Sequence, residues 1–266
     1  MRLRRYVGPR ARNRLYRLRR LNRQLICSLG RRFRIFSWLI SARAPVRLKH
    51  YECGKRSQEL LVFLPGIGDL LEDFEFNGFI EAVRRTDIPI DMTVADIHFG
   101  YYITRTAVER LRDDIVLPAR ADGYKRISLA GISLGGFGAI NYAMHHPDDI
   151  ARLFLLAPYL GDETIIDEIF IAGGINEWNP KRIVENDYQR KLWQWLKKYN
   201  QEKPRSPDLY LGYGLQDKFA PANELLAQLL PPQRTYALPG RHDWSTWSRL
   251  WNNFLIEAKS HFFAEN

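Results

Sequence analysis

The sequence predicts an α/β domain: a mainly parallel sheet flanked by helices, with a helical insertion over one edge. Three observations predict it. Short apolar runs recur at residues 60–64, 92–95, 127–130, 153–156 and 209–211. Most of them end within two residues in Gly, Pro or Asp. Stretches of helical length separate several of them, and strands alternating with helices fold as parallel sheets covered on both faces.

A chain of 266 residues suits one large domain of this kind with additions. Charge divides it into two parts. Residues 1–51 hold fifteen Arg and one Lys, with no Asp or Glu, so the remainder carries a net charge of −6 although the whole chain is at +10. The basic part is a segment over residues 1–45, and the sheet domain spans 46–266. Leu15, Leu18, Leu21, Leu25, Ile26, Leu29 and Phe33 fall on one side of a helical wheel. Arg12, Arg17, Arg19, Arg20 and Arg23 fall mostly on the other. Such a helix lies in a membrane interface, with its apolar face in the acyl boundary and its guanidinium groups on anionic headgroups. Residues 1–40 are therefore expected to meet an anionic membrane surface. A cleaved organelle-targeting peptide has a similar Arg-rich, acid-free composition, and contact with another macromolecule or with the globule itself remains a third reading. Nucleic acid is not an expected partner. The expected location is cytoplasmic and peripheral to a membrane. Cys27 and Cys53 supply neither a disulfide framework nor a metal set, and no metal or cofactor is expected.

The chemistry is concentrated after the run at 127–130. Gly131-Ile132-Ser133-Leu134-Gly135 follows it, and a helix-like stretch follows in turn. G-x-S-x-G between a strand and a helix is the nucleophile-elbow pattern, in which a tight turn presents the serine at the carboxyl edge of the sheet. A serine hydroxyl needs a base to take its proton, and an imidazole needs a carboxylate to fix its tautomer. The chain supplies both in the order Ser, acid, His. Asp217 lies just past the run at 209–211, and His242 lies past a short run at 235–238. All three then sit beyond strand ends at one rim, where open α/β sheets bind ligands. Asp96 and Asp162 are reserve acids, and His98 is a candidate for the pocket wall. A tetrahedral oxyanion needs two donors. The backbone N–H of Leu134 follows the nucleophile. The loop Pro65-Gly66-Ile67-Gly68-Asp69 offers the N–H of Ile67, with Gly68 in reserve.

With these residues, the chain from about Val46 to Phe263 resembles the α/β-hydrolase superfamily of serine esterases. The elbow, Asp217 and His242 carry the resemblance. His242-Asp243-Trp244 followed by Trp247 is also similar to the end of esterase-D-like carboxylesterases. Many relatives have His-Gly in the oxyanion loop where this chain has Pro65-Gly66. The resemblance implies the α/β-hydrolase fold, a Ser133–His242–Asp217 triad and ester-bond chemistry on a small-molecule ester.

Residues 159–206 are too many for a plain connection and are read as a helical cap over the serine. Their Ile and Trp side chains are candidates to line an acyl pocket. Tyr159 and Trp178 from this stretch, with Phe99, Tyr101 and Tyr102 after the run at 92–95, form the expected substrate wall. An aromatic site beside a membrane-seeking segment points to a lipophilic ester. A thioesterase or acyltransferase uses the same groups, and a non-catalytic binding module keeps the same fold.

Overall fold

The computed structural model describes residues 42, 44–54, 57–199 and 207–261, the last five for their backbone only. The amphipathic arm expected over residues 1–40 lies outside the described residues.

Among the described residues, seven strands form one sheet: β1 Leu48–Tyr51, β2 Glu59–Leu64, β3 Ile90–Ala95, β4 Arg126–Ile132, β5 Arg152–Leu156, β6 Asp208–Gly214 and β7 Thr235–Leu238, in the order β1-β3-β2-β4-β5-β6-β7. Every neighbouring pair is parallel except β1 with β3. β1 is an edge strand with partly exposed residues, Leu-Lys-His-Tyr, so it carries no apolar run. β2 is buried at all six positions. A parallel strand covered on both faces has no polar side, which is why it reads as a continuous apolar run.

The helices are α1 Leu71–Phe76, α2 Phe79–Arg84, α3 Phe99–Ile103, α4 Ala107–Leu111, α5 Leu117–Ala121, α6 Leu134–His145, α7 Glu163–Ile171, α8 Tyr188–Lys198, α9 Ala220–Ala227 and α10 Trp244–His261. A π-helical turn, Arg112–Val116, joins α4 to α5. Phe63 of β2 packs against Phe74, Phe79 and Trp251 at centroid distances of 5.0, 6.1 and 5.4 Å, which gathers α1, α2 and α10 on one face. On the other face α6 lies over β2, β4 and β5, with α4 and α8 beside it. The core is the apolar layer on each side of the sheet. At its lower edge the buried Glu59 is paired with Arg126 and with Arg152, the latter at 3.2 Å.

The strand order places the site. β2 leads outward to β3, while β4 leads the other way to β5. The crevice between the carboxyl ends of β2 and β4 is the point where the winding reverses, and ligands of open α/β sheets bind at such a point.

Candidate active site

Ser133 stands in the turn between β4 and α6 with φ 52° and ψ −115°, a positive φ for a residue with a side chain. Such backbone costs of the order of 1–3 kcal/mol and persists only where the surroundings enforce it. Its flanking glycines show the enforcement. A Cβ at Gly131 would come within 2.3 Å of the Gly135 carbonyl oxygen, and one at Gly135 within 2.1 Å of the Leu64 carbonyl oxygen. The Ser133 N–H donates to Leu156 at 3.0 Å, and its carbonyl accepts from Tyr159 at 2.9 Å. The elbow is thus tied to the end of β5.

Asp217 follows β6, and its carboxylate is fully buried. Oδ1 accepts the Phe219 N–H at 2.9 Å, and Oδ2 lies 2.7 Å from Nδ1 of His242. His242 follows β7, with Nε2 3.0 Å from Oγ of Ser133. Residues from three strand ends, 109 and 25 positions apart, meet in one line. The imidazole is held edge-on between Phe219 and Trp247, at centroid distances of 5.0 and 4.9 Å. Its loop is pinned to the acid's loop. Gly240 donates to the Gln216 side chain at 2.7 Å, and Gln216 N–H donates to the Gly240 carbonyl at 2.9 Å. Asp243 then caps α10 by accepting the Thr246 N–H at 2.9 Å. Burial raises the Asp243 carboxyl, but the N–H and hydroxyl of Thr246 and those of Ser245 outweigh it and hold the group below its ordinary range.

The loop after β2 lies against Ser133, since a Cβ at Gly66 would meet the Ser133 Cβ at 3.4 Å. Asp69 holds it. Gly66 N–H donates to Asp69 Oδ2 at 3.2 Å, and Asp69 N–H donates back to the Gly66 carbonyl at 3.3 Å. Gly68, with φ 85°, occupies the position of that turn that favours glycine. Leu134 is the first residue of α6, so its N–H has no carbonyl of its own helix to serve. Ile67 and Leu134 both border the cavity above Ser133.

That cavity measures about 1800 Å³ and extends from Ser133 and His242 between α4, α6 and α8. Phe99, Tyr102 and Tyr159 line it. Burial pushes the Tyr159 hydroxyl up to about 12 and raises that of Tyr102 as well. Tyr101 and Trp178, expected in the wall, are not there. Tyr101 turns into the core and donates to the Ala44 carbonyl at 3.1 Å. Trp178 is buried within the cap and donates to Glu168 at 2.8 Å. His98 caps α3 by accepting the Gly100 N–H at 3.1 Å, and its ring packs tilted against Tyr101 at a centroid distance of 4.5 Å instead of lining the pocket. Asp162 caps α7, with its carboxyl lowered first by the Gln189 amide. Asp96 is buried 3.7 Å from Arg47. Neither of these acids faces the serine. In the cap, Ile165, Ile166, Ile169 and Trp193 pack inward, whereas Tyr188 and Trp195 reach the cavity.

Sequence reasoning gave no role to Asp69, Phe219 or Phe137. An aromatic two residues after the acid was the visible signal for Phe219. A carboxylate closing a Gly-x-Gly turn was the signal for Asp69. Phe137 lies one helical turn past Leu134, on the side of α6 that faces Tyr102 and Tyr188.

The sequence model of the Esterase family ("Putative esterase") matches residues 114–262, more than half of the chain. No curated protein matches the chain in sequence. Among solved structures, S-formylglutathione hydrolase (FrmB) from Staphylococcus aureus is similar at 17% identity and a TM-score of 0.54. The match covers 81% of this chain and 98% of that one. MGS-MChE2, an α/β-hydrolase from the metagenome of Mar Chica lagoon sediments in Morocco, is similar at 19% identity and a TM-score of 0.54. It covers 82% and 97%. The enterobactin esterase FES from Shigella flexneri is similar at 15% identity and a TM-score of 0.54, covering 82% of this chain and 56% of that one. At these identities the structures speak for the fold, and the family match speaks for the class. The chain belongs to the Esterase family and is a hydrolase built on the α/β-hydrolase fold.

Proposed function

We propose that the protein is a serine hydrolase that cleaves carboxylic esters through an acyl-enzyme. The observation that carries this is the unbroken line from Asp217 Oδ2 to His242 Nδ1 at 2.7 Å and from His242 Nε2 to Ser133 Oγ at 3.0 Å. Nucleophile, base and orienting acid stand within hydrogen-bond reach of one another without substrate.

In this reading Asp217 accepts a hydrogen bond from Nδ1–H, which keeps the proton on Nδ1 and leaves Nε2 free to act as base. As Ser133 Oγ bonds to the ester carbonyl carbon, its proton passes to Nε2. The carbonyl electron pair moves onto oxygen, which the N–H groups of Ile67 and Leu134 hold. The carbon–alkoxy bond then breaks, and the leaving alcohol takes the proton from Nε2. A water molecule repeats the sequence on the acyl-enzyme. His242 removes its proton, the carboxylic acid departs, and Ser133 regains its hydrogen.

Incubation with p-nitrophenyl acetate followed by rapid acid quench and intact-mass measurement tests this. An added acetyl group on Ser133, with a burst of p-nitrophenol of about one equivalent, is expected. Turnover with no burst and no adduct under any quench contradicts the covalent route. The substrate-bearing surface is proposed to be an anionic membrane, reached through residues 1–40, which hold thirteen Arg and no acid. Full-length protein should float with anionic vesicles at moderate salt and not with neutral ones. Equal behaviour with both would remove the membrane from the account.

A further inference from the structure

The cavity is longer than an acetyl group needs, and its shape follows from three helix faces. Leu134, Phe137, Asn141, Met144 and His145 of α6 all border it. Their spacing of three or four residues makes them one stripe along the whole helix. At a rise of about 1.5 Å per residue, that stripe runs about 16 Å from the nucleophile turn to the far end. Tyr188, Lys191 and Trp195 of α8 form a second stripe, and Val108 of α4 with Arg112 just beyond it forms a third. Both α4 and α8 pack against α6, so the stripes face one trough. Its near part is aromatic: Phe137 lies 6.0 Å from Tyr102 and 5.8 Å from Tyr188 by ring centroids. Met144 and His145 mark its far end, on the last turn of α6.

Resting on the ester-hydrolase reading above, we infer that this trough binds the acyl part of the substrate, an unbranched chain of about ten to twelve carbons. The direction follows from the chemistry. The leaving oxygen takes its proton from His242, so the alcohol belongs beside Lys218, Asp243 and Trp247, which border the cavity around the imidazole. The acyl chain is left with the trough along α6. The length follows from reach. With bonds of about 1.52 Å and angles near 111°, an extended chain advances about 1.25 Å per bond, so about 16 Å holds about a dozen bonds. Val108, Phe137, Met144, Tyr188 and Trp195 offer apolar surface to methylenes, Asn141 and Lys191 border the trough between them, and Glu109, Arg112, Asp113, His145 and His146 add polar groups that disfavour a longer chain.

The test is the chain-length profile of p-nitrophenyl esters from acetate to palmitate with full-length protein. The ratio kcat/KM should rise by about two- to fourfold per methylene, level off near ten to twelve carbons, and fall at palmitate. Asn141→Trp places an indole about two-thirds of the way along the stripe and should lower the laurate-to-acetate ratio of kcat/KM at least tenfold. Met144→Trp, nearer the end, should move the optimum to about eight carbons. Covalent reaction with a fluorophosphonate confirms that each variant is folded. Hydrolysis of acetate with a profile that falls steadily with acyl length overturns the trough assignment and leaves the esterase reading standing. No hydrolysis at any length removes both.

Discussion

The indole N–H of Trp244 donates to Oδ1 of Asp69 at 3.2 Å, joining residues 175 positions apart. Asp69 is also the clamp on Gly66, and Trp244 begins the helix that follows His242. One contact therefore couples the loop carrying the proposed oxyanion donor to the element that carries the base.

Asp69→Ala removes the clamp and leaves the Gly66 N–H and the Trp244 indole without that partner. We expect kcat for p-nitrophenyl acetate to fall about tenfold to a hundredfold, less than the roughly 10²- to 10³-fold loss when an oxyanion donor is removed outright, since the donor is displaced and not deleted. KM should change little. Asp69→Asn keeps an acceptor and should recover part of the rate. Equal losses in both variants, carried by KM, would assign Asp69 to substrate binding instead.

Ser133 holds a positive φ between two glycines that admit no Cβ. Ser133→Gly should raise stability to urea by about 1 kcal/mol relative to Ser133→Ala, because only glycine accepts that backbone without strain. Gly135→Ala should cost more than about 3 kcal/mol, since the new Cβ meets backbone that cannot step aside. Urea midpoints of the three variants check both statements, and a tolerated alanine at 135 would contradict the geometry of the turn.

Glu168 of α7 pairs with Arg190 of α8 across the cap, and Asp187, at the start of α8, pairs with the same guanidinium at 2.7 Å. The Arg190 guanidinium holds the Glu168 carboxyl below its ordinary range, helped by Trp178 and opposed by burial. For Asp187 burial works upward, but the Arg190 side chain and N–H prevail and the group is lowered. A carboxylate with a depressed folded pKa stabilises fully above its unfolded value of about 4, and the contribution is lost as pH falls through the lowered value. Hydrogen exchange of α7 and α8 should therefore stay slow from pH 7 to about 5, after correction for the intrinsic rate, and loosen below about 4. Arg190→Met should flatten that acid step. A cap that loosens between pH 8 and 6 would place its control elsewhere.

Asp217→Asn retains an acceptor for the Phe219 N–H but no longer fixes the imidazole proton on Nδ1. A fall in kcat of about 10³ to 10⁴ is expected, with the melting temperature nearly unchanged. A loss below tenfold would mean that the carboxylate is structural.

The sheet was legible because its central strands are covered on both faces and appear as unbroken apolar runs ended by turn residues. The motif at 131–135 and the acid and histidine beyond later strands were legible because their spacing follows the winding. β1 was not, since an edge strand with a Lys and a His has no such run. Nor did the sequence separate wall from core in the cap. Tyr101 and Tyr102 are adjacent, yet one donates to the Ala44 carbonyl and the other borders the cavity. Trp178 and Trp195 differ in the same way, the first buried in the connection between α7 and α8 and the second at the cavity, because aromatic content does not say which side chains meet the substrate. Asp69 was read only as part of a loop, since its partner Trp244 comes close only once the chain has folded.

The most direct test is labelling of the full-length protein with a fluorophosphonate probe at neutral pH. The account predicts about one probe per chain, located on Ser133 by peptide mass, none in Ser133→Ala, and reaction slowed at least a hundredfold in His242→Ala. Folded wild-type protein that stays unlabelled, or a Ser133→Ala variant that labels as well as the parent, would contradict it.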